Sequence, residues 1–407
     1  MGTIGRSRVF CYLRSLMSLR FLTAGESHGP ALTTIVEGLP AGVPVVKAAI
    51  DRELSRRMGG HGRGGRMNIE SDEVEILGGV RFGRSLGSPI ALLIRNRDFA
   101  NWKDAMSPEG VRPADEASRA VTRPRPGHAD LAGAQKYGTH DARDILERAS
   151  ARETAARTAA GALAKALLLE VGVVVTSRTV AVGAAVAADE EGDDLDALLA
   201  LPDDAPMRST RAATVDAMIA AVDEARRRAD SVGGCFEVLA RGLPPGIGSH
   251  VHWDRRLDAR LGAAILSIQA VKGVSIGDGI QVAGGGGREA HDPIGYDPAA
   301  RCFRRPTNRA GGIEGGMTNG EIVRLLGYLK PLATLPRALP SIDLVTKEPF
   351  AAAVERTDTV PIVAAGVVGE AMAALVLADA LLEKFGGDAL SETRRNFDAY
   401  VRSLRDY

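Results

Sequence analysis

The chain has 407 residues, 51 Lys and Arg against 51 Asp and Glu, and 45% hydrophobic residues. That length suffices for a large buried core, and the ordinary charged and apolar fractions exclude wholesale disorder. Zero formal net charge leaves no global field to hold the chain on nucleic acid or an anionic membrane, so its basic clusters at 52–66, 119–125 and 301–309 suit a small anionic ligand better than a polymer. Aromatics at 4% offer few stacking platforms for single-stranded nucleic acid. The three cysteines, Cys11, Cys235 and Cys302, form neither a metal-ligand pattern nor a disulfide framework. That favours a reducing compartment, and no metal site is expected.

Residues 1–16 carry Arg6, Arg8 and Arg14 and no acid. Their apolar run is short for a targeting peptide, and Arg6 breaks the fit to a myristoylation signal. A disordered extension or an upstream start codon is expected there, with the working domain beginning near Met17. The runs LRFLTA (19–24) and TTIVEGL (33–39) read as strands. Between them, Gly25 and Gly29 flank His28 with little steric cover, either as an ordinary turn or as one that exposes a functional side chain. GESHG also matches a serine-hydrolase nucleophile elbow literally, but that motif needs a helix directly after the turn, and here Pro30 and a strand follow.

Ile50, Leu54 and Met58 mark an amphipathic helix stopped by Gly59 and Gly60. The glycine-rich run 59–73 then carries His61, Arg63 and Arg66, and reads equally as an anion lid or a basic surface loop. Val74 and Ile76 indicate a short strand, and SPIALLIRN (88–96) a buried one. The stretch 122–150 holds Arg123 and Arg125 between prolines, which fix φ and keep both off a helix, and then presents His128 after a glycine. Guanidiniums on a stiff segment suit bidentate anion binding, and an imidazole titrates near neutrality. An anion clamp beside a proton donor and a solvated basic loop both fit this stretch.

Residues 141–171 are alanine-rich and helical, with Glu153 and Arg157 as an i,i+4 pair. The pattern predicts β structure over 173–187, helix over 211–229, a strand over 234–241 and helix over 257–269. AGGGGREAHD (283–292) reads as a mobile loop without the Lys-Ser/Thr ending of a P-loop. Glycine pairs in 308–321 lead into an expected helix near Asn319, whose start would favour an anion. KPLATLPR (330–337) is a proline-punctuated connection, and Arg356 and Asp358 precede a long apolar helix over 365–385. Its Glu370, Asp379 and Glu383 argue for a core helix rather than a membrane span. No linker, repeat or low-complexity break is visible, so a single site has to be assembled from the whole chain.

Taken together, TAGESHGPAL, GHGRGGRM, TRPRPGHADL, LERASARETAAR, NRAGGIEGGMTNGE, KPLATLPRAL and ERTD closely resemble the chorismate synthase family, in order from about residue 17 to 396. These blocks are long and unusual, and they outweigh the five-residue hydrolase match. One departure is Thr357, where many members read Arg-His-Asp. The resemblance implies an α+β fold, a β-α-β sandwich particular to the family, in a single catalytic domain over 17–396 with a C-terminal tail over 397–407. It implies a lyase of the shikimate pathway, leading to the aromatic amino acids. The reaction is anti-1,4-elimination of phosphate from 5-enolpyruvylshikimate 3-phosphate, giving chorismate and requiring reduced FMN without net redox change. A cytoplasmic homotetramer, with NADPH as an optional reductant and no nucleic-acid or membrane partner, goes with it.

By the same resemblance His28 is the acid that protonates the leaving phosphate, and His128 donates to or holds the reduced flavin. Asp358 assists proton removal from the substrate ring by way of the flavin. Flavin contacts map to Arg148, Ala149, Ser150, Gln269, Ala270, Gly315, Lys330, Pro331, Leu332, Ala333, Thr334 and Arg356. Arg57 and Arg63 match positions the family gives to a nicotinamide nucleotide, and they equally suit substrate phosphate or carboxylate. An RNA-binding protein using the Arg/Gly loops and a flavin-dependent oxidoreductase are the competing classes. Salt-steep RNA binding without flavin affinity marks the first, and net substrate oxidation or reduction marks the second.

Overall fold

Alternation of apolar and polar residues builds the first sheet of this computed structural model, which describes residues 19–64, 72–110, 119–187 and 194–407. Strands β1 (Arg20–Ala24), β2 (Ala31–Glu37), β3 (Val74–Gly78) and β4 (Ile90–Arg95) pair antiparallel in the order β1-β2-β4-β3. Leu32, Val36, Ile90, Leu92 and Ile94 face inward and are buried. On the other face Leu22 and its cross-strand partner Ile35 are 70% and 43% exposed.

The second sheet is also antiparallel. It comprises β5 (Val174–Val182), β6 (Ala185–Val186), β7 (Gly234–Arg241), β8 (Val271–Ile276) and β9 (Val323–Leu329), in the order β8-β9-β7-β5-β6. The main helices are α1 (Lys47–Met58), α2 (Asp130–Tyr137), α3 (Arg143–Ala149), α4 (Thr154–Leu169), α5 (Ala212–Arg227), α6 (Leu257–Leu266), α7 (Ile362–Phe385) and α8 (Leu390–Ser403). The chain is thus α+β.

Helix α4 rests on the first sheet, where the Thr34 hydroxyl donates to the Ala156 carbonyl at 3.1 Å, and α7 packs on α4 and on β5 and β7. Small residues make that contact close. A Cβ on Gly161 would fall 2.3 Å from the Ala371 Cβ, and one on Gly369 would strike the Phe236 ring. Each fully buried Leu or Val in these layers contributes about 1.5–3 kcal/mol.

Helix α7 is long and apolar enough to cross a bilayer, but 94% of its apolar window is buried inside the protein. Of the three acids noted in its sequence, Glu370 and Asp379 are spent in the core, whereas Glu383 is exposed and pairs with Arg260 at 2.8 Å. Glu370 accepts from Arg56 at 2.8 Å, Lys165 at 2.6 Å and Ser177 at 2.6 Å, and Asp379 accepts from the Leu19 amide at 2.7 Å and Arg260 at 2.5 Å. Burial pushes the Glu370 carboxyl up, yet Lys165 and Arg56 more than offset this and hold it well below the usual carboxylate range.

Three sequence expectations change. The helix over 141–171 is broken at Ser150, whose backbone is extended and whose hydroxyl accepts the Arg152 N–H at 3.3 Å. Serine competes with the helix for backbone donors, and here it wins. The helix near Asn319 does not form: Ile313–Glu314 and Met317–Thr318 pair as a hairpin turning at Gly315 and Gly316, and the chain continues into β9. Period-two burial in VRLLGYL overrides the helix-start signal of the glycine pairs. The loop over 283–292 contains one helical turn, Gly287–Ala290.

The expected boundary at 396/397 falls inside α8, where Phe397 is buried edge-on against Phe385. Residues 1–16, Met17 and Arg66 lie outside the described residues.

Candidate active site

The turn between β1 and β2 is fixed from three directions. A Cβ on Gly25 would sit 2.3 Å from the Ala31 carbonyl oxygen, at a φ of 105° that favours glycine. Asn96, just past β4, donates to the carbonyls of Glu26 at 3.1 Å and Gly29 at 2.7 Å. The Ser27 amide donates to the Glu147 carbonyl at 2.9 Å, and the Ser150 hydroxyl meets that of Ser27 at 3.1 Å. His28 is therefore presented rigidly. Its Nδ1 lies 2.8 Å from Glu147 Oε1, and its ring stacks on Trp102 with centroids 3.8 Å apart.

His128 is held by the same chemistry on another element. Its Nδ1 lies 2.5 Å from Oδ1 of Asp130, at the start of α2. Arg125 grips that carboxylate through Nε at 2.8 Å and reaches the Thr334 hydroxyl at 2.9 Å. Burial pushes the Asp130 carboxyl up, but the hydrogen bonds from His128 and Arg125 prevail and hold it well below its ordinary value. The prolines on either side of Arg125 do what the sequence suggests, though this guanidinium is committed to Asp130 and Thr334.

A basic cluster lies beneath the His28 turn. Arg152 donates to Asn96 at 2.9 Å and to both oxygens of Asp72 at 2.7 Å. Arg57, at the end of α1, donates to Thr154 at 2.9 Å and to the Ala151 carbonyl at 3.0 Å. Its Nη1 is buried 3.6 Å from Asp72 and has no hydrogen-bond partner among the described residues. Burial brings the Arg57 guanidinium down to about 10; Asp72 opposes that shift, and Arg152 and Arg63 reinforce it. Arg63 pairs with Asp358 at 2.7 Å, and the Gly64 amide donates to the same carboxylate at 2.6 Å.

The segment around Asp358 joins the two sides. Arg356 donates to Asp98 at 2.9 Å; Asp98 accepts the Trp102 indole N–H at 3.2 Å. The preceding Glu355 accepts from Arg143 at 2.8 Å, and Arg143 in turn donates to Glu147 at 3.2 Å. From Arg356 through Trp102, His28, Glu147 and Arg143 back to Glu355, the contacts close a ring.

The other expected flavin residues extend this network. Arg148 donates to the carbonyls of Gly25 at 3.1 Å and Thr23 at 2.8 Å. Ala149 ends α3 ahead of Ser150. Thr23 donates to Glu153 at 2.8 Å, and Glu153 accepts from Gln269 at 3.2 Å. Gln269 Oε1 is buried without a partner among the described residues. Ala270, at φ 67°, accepts the Lys330 amide at 3.0 Å, and the Lys330 ammonium donates to the Gly127 carbonyl beside His128. Leu332 accepts from Ser231 at 2.9 Å, Pro331 packs beside Gly233, and Ala333 lies next to Gly127.

The expected residues thus fall on two contact groups, one around His28 and one around His128, that meet along the chain at Gln269–Ala270 and Gly127–His128, with one exception. Gly315 sits at the tip of its hairpin, and no described hydrogen bond or ion pair joins that tip to either imidazole. An open groove between Ala41 and Arg394 lies elsewhere and has neither imidazole nor carboxylate in its walls.

Sequence reasoning missed Glu147, Asp130, Asp98, Asp72 and Trp102. The signals were faint: Glu147 stands four residues after Arg143 on α3, and Asp130 two residues after His128. A carboxylate on a helix ordinarily reads as solvated surface.

Comparison with known proteins identifies a family. The family model for chorismate synthase matches residues 19–382. A chorismate synthase from Solibacter usitatus is 54% identical over 389 residues, 96% of this chain and 100% of that protein. One from Symbiobacterium thermophilum is also 54% identical, over 95% of this chain and 99% of its own. A crystal structure of chorismate synthase superposes with a TM-score of 0.75 at 40% identity, covering 96% of this chain and 99% of the other.

Proposed function

The chain belongs to the chorismate synthase family, a family of lyases in the shikimate pathway, and from that premise we propose how its residues carry the reaction. The substrate is 5-enolpyruvylshikimate 3-phosphate, which loses phosphate by anti-1,4-elimination to give chorismate. The observation that carries this reading is the pair of histidines, each with Nδ1 on a buried carboxylate that also accepts from a guanidinium.

A departing phosphate needs cations and a proton where its charge develops, and low-dielectric surroundings strengthen both. His28 is the proton donor to the departing phosphate. Arg57 and Arg63 bind anionic groups, either of the substrate or of a nicotinamide nucleotide. The partnerless Nη1 of Arg57 supports a ligand there, because buried guanidinium nitrogens rarely go without an acceptor. Asp358, oriented by Arg63 and the Gly64 amide, assists removal of the ring proton.

The residues present also fit reduced FMN. Gln269 Oε1 is an orphaned acceptor; Arg148 pairs at 3.8 Å with Glu153, which accepts from the Gln269 amide, and the neighbouring Ala270 accepts the Lys330 amide. Residues 148–150, Gln269, Ala270, Lys330–Thr334 and Arg356 would hold the flavin, with His128 maintaining its protonation state; Gly315 is assigned by family likeness alone. Reduced FMN, when bound, supplies electron density to an allylic system left electron-poor. We further infer the family's β-α-β sandwich, a cytoplasmic setting and a homotetramer, which would give the exposed Leu22–Ile35 face a partner.

Anaerobic incubation with reduced FMN and 5-enolpyruvylshikimate 3-phosphate tests the reading. Phosphate release with the flavin returned still reduced is expected. His28→Ala and His128→Ala should each cost about 10²–10⁴-fold in rate, and a variant with full turnover removes that histidine from the chemistry.

A further inference from the structure

Glu147 is given no role of its own in the assignment above, yet its carboxylate meets both the His28 amide and the His28 ring. Its main-chain carbonyl accepts the Ser27 amide at 2.9 Å, its Oε2 accepts the His28 amide at 2.8 Å, and its Oε1 meets His28 Nδ1 at 2.8 Å. The side chain is 3% exposed. Burial raises the carboxyl, but the His28 hydrogen bonds and the Arg143 charge outweigh burial, so the group is held ionised.

An ionised carboxylate only accepts, so the nitrogen facing it must carry a proton. We propose that Glu147 is a positioning residue for the elimination: it fixes His28 with Nδ1 protonated and leaves Nε2 as the nitrogen that delivers the proton to the departing phosphate. The proposal rests on the assignment of His28 as that donor.

The surroundings favour a single ring orientation. Trp102 stacks on the imidazole with an interplanar angle of 24° and is itself tied through its indole N–H to Asp98. The guanidiniums of Arg119 and Arg143 lie 4.0 Å and 5.0 Å from the Trp102 ring, and Arg356 neutralises Asp98. Of the acidic groups around His28, only Glu147 reaches the ring itself, and Nε2 has no hydrogen-bond partner among the described residues. In the step, the Nε2–H proton passes to a phosphate oxygen as the ring carbon–oxygen bond breaks and its electron pair leaves with the phosphate. His28 is left neutral with Nδ1–H intact, Glu147 stays ionised, and solvent reprotonates Nε2 before the next turnover.

A glutamine cannot stand in here. Its single oxygen serves one of the two His28 N–H groups, and its amide NH₂ then faces the other, donor against donor.

The test is 15N solid-state NMR of the histidine-labelled free protein at a pH where His28 is neutral, with the resonance assigned through His28→Asn. Nδ1–H with an unprotonated Nε2 is expected in the wild type. In Glu147→Gln the expected result is a mixed or Nε2–H tautomer, with kcat down by about 10²-fold and KM nearly unchanged. A wild-type Nε2–H tautomer overturns the proposal without any variant having to fold, as does a Glu147→Gln protein with unaltered tautomer and kcat. Full turnover by His28→Asn instead overturns the donor role, even where the tautomer is as expected, so the two failures are told apart.

Discussion

Asp358 and Gly64 stand 294 positions apart in sequence, and the Gly64 amide donates to the Asp358 carboxylate at 2.6 Å. The contact docks the glycine-rich segment after α1 onto the segment before α7, and nothing larger than glycine fits there. A Cβ on Gly64 would lie 2.4 Å from the Thr357 carbonyl oxygen. Gly64→Ala should therefore separate Arg63 from Asp358 and lower kcat/KM by about tenfold or more, since small displacements of catalytic groups cost heavily. Steady-state kinetics beside a thermal melt checks this. Unchanged kcat/KM would show that the docking does not matter to turnover.

Asp130 makes a pH-dependent contribution to stability. Its carboxyl is depressed in the folded protein, so the stabilisation is fully present above the ordinary Asp value of 3.8 and is lost as pH falls through the lower folded value. Asp130→Asn should remove that contribution and leave Arg125 facing an amide, costing about 3–5 kcal/mol near pH 7 and flattening the decline in stability below about pH 4. Urea midpoints measured from pH 2.5 to 7 decide it; parallel curves for the two proteins would contradict the assignment.

Glu370 neutralises Arg56 and Lys165 inside the core. Truncating it as Glu370→Ala leaves those cations buried without their main acceptor, and about 3–5 kcal/mol of stability should go with it. The loss should appear as a lower denaturant midpoint. A midpoint within experimental error of the wild type would mean that the cluster relaxes to solvent.

Trp102 has two separable functions, a stacked face for His28 and an indole N–H for Asp98. Trp102→Phe keeps the face and should lose only a few-fold in kcat, whereas Trp102→Ala should lose at least a further ~2- to 10-fold, in line with about 0.5–1.5 kcal/mol for an aromatic pair. Equal losses in the two variants would place the effect in the N–H rather than in the stack.

Much of the architecture is legible in the chain. Period-two runs such as TTIVE and IALLIR become β2 and β4, and the charged apolar run before 385 becomes the buried α7. His28 is visible because glycines and a proline crowd around it in a turn, whereas the roles of Ser150, Arg356 and Asp358 come only from the resemblance to the family. Their partners are hidden for the converse reason. Glu147 and Asp130 sit in helices, where a lone acid is ordinarily solvated; Glu147 is engaged by folding against 25–29, and Asp130 by the turn of 125–128 just before its helix. The misread helix near Asn319 has a physical origin too: glycine pairs introduce hairpins as readily as helices, and the following alternation in VRLLGYL carries the decision.

At Gly161 the backbones of α4 and α7 come nearly into touch beside Ala371. A bulkier residue at that crossing would act as a wedge, prying apart the layers that carry the first sheet with its His28 turn and the second sheet with its Ala270–Lys330 link. Damage far from either imidazole would then surface as slow turnover. The spacing of the interior is thus set there by one missing methyl group.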